Sequence, residues 1–238
     1  MLGGYPIIYG ISPMASGTTP LHQLGTIGVT PDGRKFRYCR NNASTAAVAG
    51  ELQQSPAEDT SEESLVMVAA SAGATAVTTA AITVTVNEYA DGYIVFTAEG
   101  GTGNGYMYRI KSHPATTAAA LTLQLYEPLE VAITTSTQAD LVHSPYNRVI
   151  QNPASATSAP VGVAVVPAAA DEYFWVQTGG PGIALADAGG AVTVGTSVVA
   201  SNQTAGSIEG ATGAQAVIGT ALTGIASAEF GAVYLRLD

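Results

Sequence analysis

Charge is scarce in this chain. Only 11% of its 238 residues are Asp, Glu, Lys or Arg, against roughly a quarter in an average globular domain. Polar surface must therefore come from Thr, Ser, Asn, Gln and backbone. The few charges are lopsided: the formal net charge is −10, which argues against general nucleic-acid binding, because phosphate recognition needs Lys and Arg to displace counterions. Cysteine is almost absent. Cys39 stands alone, so no intramolecular disulfide can support the fold, and a buried small hydrophobe is the expected role. No run of about 18 apolar residues escapes interruption by Gly, Thr or Ser, so no membrane-spanning helix is expected. The first residues, Met1-Leu-Gly-Gly-Tyr-Pro6, lack the basic and apolar regions of a signal peptide. Assembly in a cytoplasm is the expectation.

Catalytic and metal signatures are also missing. There is no Gly-x-Ser-x-Gly elbow and no Cys–His pairing. His22, His113 and His143 are far apart and have no second ligand at metal spacing. Gly100-Gly-Thr-Gly-Asn-Gly105 invites comparison with a dinucleotide fingerprint, but Tyr106–Lys111 after it reads as a strand rather than a helix, so the loop is a hairpin connection. Glu58, Asp59, Glu62 and Glu63 crowd the stretch from Ser55 to Ser64 without the spacing of a calcium loop, which makes a solvated acidic loop. The chain predicts no enzyme and no cofactor.

What is present is β-forming sequence. Hydrophobic residues reach 47%, enough for a sizeable core. From Leu65 onward, apolar residues alternate with Thr, Gln and Ala: Ile82, Val84 and Val86, then Tyr93–Thr97, then Leu121, Leu123 and Leu125. Val131–Ser136 reads as a further strand. Small residues and prolines over 151–160 mark a linker. Beyond it, short strands are expected at Val161–Val166, Tyr173–Thr178, Ile183–Leu185, Ala191–Val194, Ser197–Ala200, Ala216–Ile218 and Ala232–Leu237. Gly179-Gly-Pro-Gly182 and Asp187-Ala-Gly-Gly190 are read as turns between them. Trp175, the only tryptophan, is expected to anchor the core of that region.

The first 33 residues differ. Pro6, Pro13, Pro20 and Pro31 forbid a helix there, yet Ile7, Ile8, Tyr9, Leu21 and Leu24 are too apolar for a solvated tail. An extended arm laid on another surface accounts for both. Pro31-Asp-Gly-Arg34 should join Gly25–Thr30 to Lys35–Arg40 as a hairpin. The second strand gathers Arg34, Lys35, Arg37 and Arg40, half of the eight basic residues. Lys35, Arg37 and Cys39 should face one way and Phe36, Tyr38 and Arg40 the other. A charged edge strand and a basic patch for an acidic partner are both open. A short helix is expected over Ser44–Gln54, capped by Ser44 or Thr45 and weakened by Gly50. The fold expected is mainly β: an extended N-terminal arm with a basic hairpin and one short helix (1–64), a β-sandwich-like domain (65–150) and a small C-terminal β-barrel or sandwich (161–238).

Several stretches in this order, His22-Gln-Leu-Gly-Thr26, Asp32-Gly-Arg-Lys-Phe-Arg-Tyr38, Ala49-Gly-Glu-Leu-Gln53, Tyr89-Ala-Asp-Gly-Tyr93, Gly103-Asn-Gly-Tyr106, Val161-Gly-Val163 and Tyr173-Phe-Trp-Val-Gln177, give the chain a pattern that resembles tailed-bacteriophage capsid decoration (cement) proteins. The resemblance implies a structural virion protein on the capsid exterior, bound to the major capsid protein as a homotrimer, with neither nucleic acid nor membrane as partner. Ile7, Ile8, Tyr9, Leu21, Leu24, Arg34, Lys35, Arg37 and Arg40 are the candidate contacts. Other readings are a head fibre or tail component, or a carbohydrate-binding β-sandwich using Tyr89, Tyr93, Tyr106 and Tyr108 as stacking platforms.

Overall fold

A computed structural model describes residues 6–97, 101–213 and 215–238. The expectations for the first five residues and for Gly100 lie outside them. The described chain is mainly β, with no α-helix. Its strands are β1 (Ile7–Tyr9), β2 (Ile27–Val29), β3 (Lys35–Asn41), β4 (Leu52–Gln54), β5 (Leu65–Val66), β6 (Ala76–Val84), β7 (Tyr93–Phe96), β8 (Met107–Ser112), β9 (Thr116–Leu125), β10 (Gln138–Val142), β11 (Asn147–Gln151), β12 (Pro160–Ala164), β13 (Tyr173–Leu185), β14 (Ser197–Ala200), β15 (Ile208–Gly210), β16 (Gly219–Ala221) and β17 (Phe230–Arg236).

The chain divides into two compact units, Glu58–Ser144 and the combination of Met1–Ala57 with Pro145–Asp238. This differs from the three consecutive segments expected. The linker read over 151–160 is a loop between β11 and β12, both of which pair with β4. It is held to β4 by Gln54, whose Nε2 donates to Thr157 Oγ1, and by the Ser55–Ser158 hydroxyl pair.

In the Glu58–Ser144 unit the strand order is β5-β10-β7-β8-β9-β6. A bridge from Met67 to Thr79 joins the last strand to the first, so the sheet nearly closes into a barrel. Period-two alternation explains the interior: Leu121, Leu123 and Leu125 on β9, Ile94 and Phe96 on β7 and Ile110 on β8 all point into one core. The glycine-rich loop joins β7 to β8, which are antiparallel neighbours. Val131–Ser136 does not form a strand; only Ile133 bridges, to Ala70.

The other unit is organised by β13. Tyr173–Gly179 pairs with β3, and Gly179–Leu185 pairs with β17. The expected turn at Gly179–Gly182 is therefore strand. The register shifts between Gln177 and Gly179, and Gly180 takes φ +85°, a left-handed backbone that glycine adopts without strain. Pro181 pairs opposite Tyr234 at the point where β13 changes partner. Gln177, buried, holds the irregularity by donating from Nε2 to the Gly179 and Pro181 carbonyls at 3.2 and 2.8 Å. The first half of β13 closes a circuit of pairings, β3–β11–β4–β12–β13–β3, around Cys39, Val149, Phe174 and Val176. The second half leads through β17, β16 and β14 to β15, around Ala184, Val198, Ile208 and Val233. Ala191–Val194 supplies only a bridge, Val192 to Ile225.

The helix expected over Ser44–Gln54 is absent. Asn42 caps the start, its Oδ1 accepting from Ser44 and Thr45 N–H, but no helix follows. Ala47 bridges to Ala168 and Leu52–Gln54 runs as β4 between β11 and β12. Gly50 sits at φ +82°, which a helix interior does not accommodate. Tertiary pairing overrides the alanine-rich propensity.

Trp175 lies against Phe36 and Tyr38 at 4% exposure. Its packing partners come from β3 and from the segment that holds Ile11, His22 and Leu24, not from the strands after β13. Trp175→Ala in the whole chain is expected to cost roughly 3–5 kcal/mol. A denaturant melt followed by circular dichroism measures it; an unchanged midpoint would contradict a core role.

Candidate functional site

β3 alternates as its sequence predicts. Phe36 and Tyr38 turn to one face and Cys39 to the other. On the first face four rings meet. Tyr38 and Trp175 stand edge to face at 5.0 Å, His22 touches both at 5.1 and 5.4 Å, and Tyr173 stacks on Tyr38 at 6.0 Å. The Leu21 amide donates to the Tyr38 hydroxyl at 3.0 Å. Ile11 and Leu24 pack on the same cluster. Above these rings the segment between β1 and β2 frames a cavity of about 660 Å³, with Ile8, Ile11 and Leu21 on its walls. That segment is fastened by Gly17, which exchanges two backbone hydrogen bonds with Tyr173.

The predicted contact residues divide into two groups. Ile7, Tyr9 and Leu21 are exposed at 54%, 76% and 75%. Ile8 and Leu24 are half-buried. The N-terminal segment is thus partly ordered on its own chain, through β1 pairing with β2 in parallel.

The basic strand is internally compensated. Arg34 Nε meets Asp32 Oδ2 at 2.8 Å, and Arg40 Nη2 meets Asp171 Oδ1 at 2.7 Å. Arg37 grips Asp238 with two hydrogen bonds of 2.7 and 2.9 Å and also donates to the Gly25 carbonyl. Each guanidinium also lies over a ring: Arg34 on Phe36, Arg37 on Tyr146, Arg40 on Tyr173. Lys35 is exposed. The Thr30 hydroxyl and Arg34 together hold the Asp32 carboxyl below the usual carboxylate range. The Arg37 fork does the same for Asp238. Asp171 and Asp238 were not legible as partners, because sequence separations of 131 and 201 residues leave no local signal.

Elsewhere, two of the three histidines reach one ring. Tyr89 stacks on His143 at 4.3 Å and tilts against His113 at 6.2 Å. His113 is structural: its Nε2 accepts from the Tyr89 amide and its Nδ1 faces the Pro114 carbonyl. Tyr89 and Tyr108 are buried, so the four tyrosines do not form an exposed glycan platform. Among the described residues, no group of three His, Cys, Asp or Glu side chains is placed to hold a metal ion. In the acidic loop a single 3₁₀ turn, Thr60–Glu62, follows Asp59, which accepts from the Ser61 amide. Glu62 is buried, and its Oε2 accepts no hydrogen bond among the described residues. Burial, with the Asp59 charge behind it, pushes its carboxyl upward. Burial likewise pushes the Cys39 thiol up, which leaves it unreactive.

Two pH effects of opposite sign follow. The Asp238 carboxyl is depressed in the folded state, so its stabilisation is present above the ordinary carboxylate pKa and disappears as the pH falls through the folded value. Arg37→Ala should cost about 1–3 kcal/mol at neutral pH, and the difference should shrink in acid. Glu62 is raised, so its charged form costs stability at neutral pH. Glu62→Gln should raise the melting temperature at pH 7, with the gain lost as the pH falls below the ordinary glutamate value. Thermal melts across pH test both; a Glu62→Gln protein that is less stable at pH 7 would contradict the second.

No family model, curated protein or solved structure matches this chain.

Proposed function

We propose that the chain is a structural protein of a tailed-phage virion. It attaches to the outer surface of an icosahedral capsid, on the major capsid protein, as a homotrimer assembled with the shell in the host cytoplasm. The observation that carries this reading is the charge-free N-terminal edge. From Pro6 to Pro31 there is no Lys, Arg, Asp or Glu, and Ile7, Tyr9, Met14 and Leu21 stand exposed along it. Exposed apolar groups concentrated in one segment favour a contact surface. The unit that carries this edge supplies a strand-built scaffold of barrel type for it, an 11-stranded sheet in which β1 is the first strand. Stabilisation acts by mass action: a protein that binds the assembled shell and not its dissociated subunits shifts the equilibrium toward the shell.

The paired guanidiniums modify the expected role of the basic strand. With Asp32, Asp238 and Asp171 beside them, Arg34, Arg37 and Arg40 project little net charge, so attachment should depend on apolar contact more than on steering. The experiment is co-sedimentation with shells assembled without the chain, at two ionic strengths. Ile7→Asp with Tyr9→Asp should reduce the bound fraction by at least about tenfold in affinity. Arg34→Ala should change it little, and raising the salt should leave wild-type binding nearly unaltered. Undiminished binding by the double aspartate variant would move the attachment surface away from this edge.

A further inference from the structure

The edge and the cavity behind it have a joint geometry. In the parallel pairing of β1 with β2, the Gly10 amide donates to the Val29 carbonyl at 2.8 Å and the Ile27 amide to the Pro6 carbonyl at 3.0 Å. Residues of a parallel ladder alternate in direction. Positions 6, 8 and 10 therefore face β2, and the N–H and C=O groups of Ile7 and Tyr9 point off the sheet. Among the described residues β1 has no second neighbour. Such edges are normally guarded by charge or proline within the strand; here the strand is Ile-Ile-Tyr. The side chains of Ile7 and Tyr9 lie on one face and that of Ile8 on the other, where it lines the cavity with Tyr38, Tyr173 and Trp175.

We propose that the outer edge of β1 and this aromatic cavity form one docking groove for an extended, uncharged segment of a partner protein. The segment adds to the sheet as a strand and sets one bulky apolar side chain beside Ile8. Cross-strand neighbours share a face at about 5 Å, so the residue registered opposite Ile8 lies on the cavity's side of the sheet. Backbone pairing supplies affinity and the side-chain site supplies selectivity, as in other strand-addition interfaces. No Lys, Arg, Asp or Glu lines the cavity, and a charged side chain entering it would lose hydration with no opposite charge to compensate. Head-to-tail addition of a second copy fits poorly, because the opposite edge of the same sheet is β15, Ile-Glu-Gly, which brings Glu209 against an uncharged strand; β1 against β1 would close a two-fold pair, not the trimer proposed above. The groove takes a strand whether or not the partner is a shell subunit, so peptide binding and particle binding fail separately.

The test uses the whole chain and capped heptapeptides, Thr-Val-Thr-X-Thr-Val-Thr, with X as Phe, Leu, Met or Asp. Trp175, the sole tryptophan, reports occupancy by its emission. Saturable shifts with dissociation constants below about 1 mM are expected for at least one apolar X, and at least about tenfold weaker binding for Asp. Tyr9→Pro removes an outward donor that β2 does not use, so it should keep the fold and the melting temperature while losing binding by a similar factor. Peptides N-methylated at alternate residues give an independent check. One methylation frame should abolish binding and the other should spare it. Absence of any shift at about 1 mM with all apolar peptides, equal binding by Tyr9→Pro, indifference to the methylation frame, or equal binding by N-acetylphenylalaninamide alone would each overturn the strand groove. Self-association of the wild type that Tyr9→Pro removes would give the edge to a second copy and overturn the partner assignment.

Discussion

The unit that holds both chain ends depends on one strand changing partner in mid-course. β13 is 13 residues long, about twice the usual length of a strand. It serves as a shared wall: its first half closes the circuit through β3 and its second half carries β17. The change is possible because Gly180 takes a left-handed backbone and Gln177 binds the carbonyls that the irregularity would leave unpaired. A buried amide that satisfies freed carbonyls fixes a register that glycine alone would leave loose. Ordinary apolar residues then fall on alternate faces, Phe174 and Val176 buried on one side of the irregularity and Ile183 exposed on the other.

That wall also positions the candidate site. Trp175 and Tyr173 leave β13 on the face where Tyr38 leaves β3, and the N-terminal segment is fastened over them through Gly17. The same pairing brings Arg37 and Arg40 within reach of carboxylates far along the chain. Charge is thereby used inside the unit, to tie distant segments to β3, while the edge at β1 is left neutral. The two facts belong together: a chain with so few charges concentrates its paired ones at β3 and none at the edge.

The β class was legible because alternation survives in almost every long strand. Leu121, Leu123 and Leu125 announce β9, and Phe36 with Tyr38 against Cys39 announces β3. The hairpin from β2 to β3 follows from Pro31-Asp-Gly. What failed was local chemistry read without its tertiary partner. Ala46–Gln53 has helix-tolerant residues, yet Leu52–Gln54 is wanted between β11 and β12. Gly179-Gly-Pro-Gly182 has turn residues, yet a strand passes through them because Gln177 supplies what the backbone lacks. β10 and β11 were not anticipated: Gln-Ala-Asp-Leu-Val and Asn-Arg-Val-Ile-Gln carry too few branched residues to stand out. In the candidate site, the exposed apolar residues of the N-terminal segment could be named from sequence. The cavity behind them could not, nor could Asp238 opposite Arg37 or Asp171 opposite Arg40, since these arise from pairings across more than a hundred residues.

The proposed attachment to a capsid exterior runs through the neutral N-terminal edge. Electron microscopy of the particle that carries this chain tests it most directly. Density for the chain is expected on the outside of the shell, with the backbone of Ile7–Tyr9 in contact with a capsid subunit. A chain found inside the shell, in the tail, or on the exterior with that edge facing solvent would contradict it.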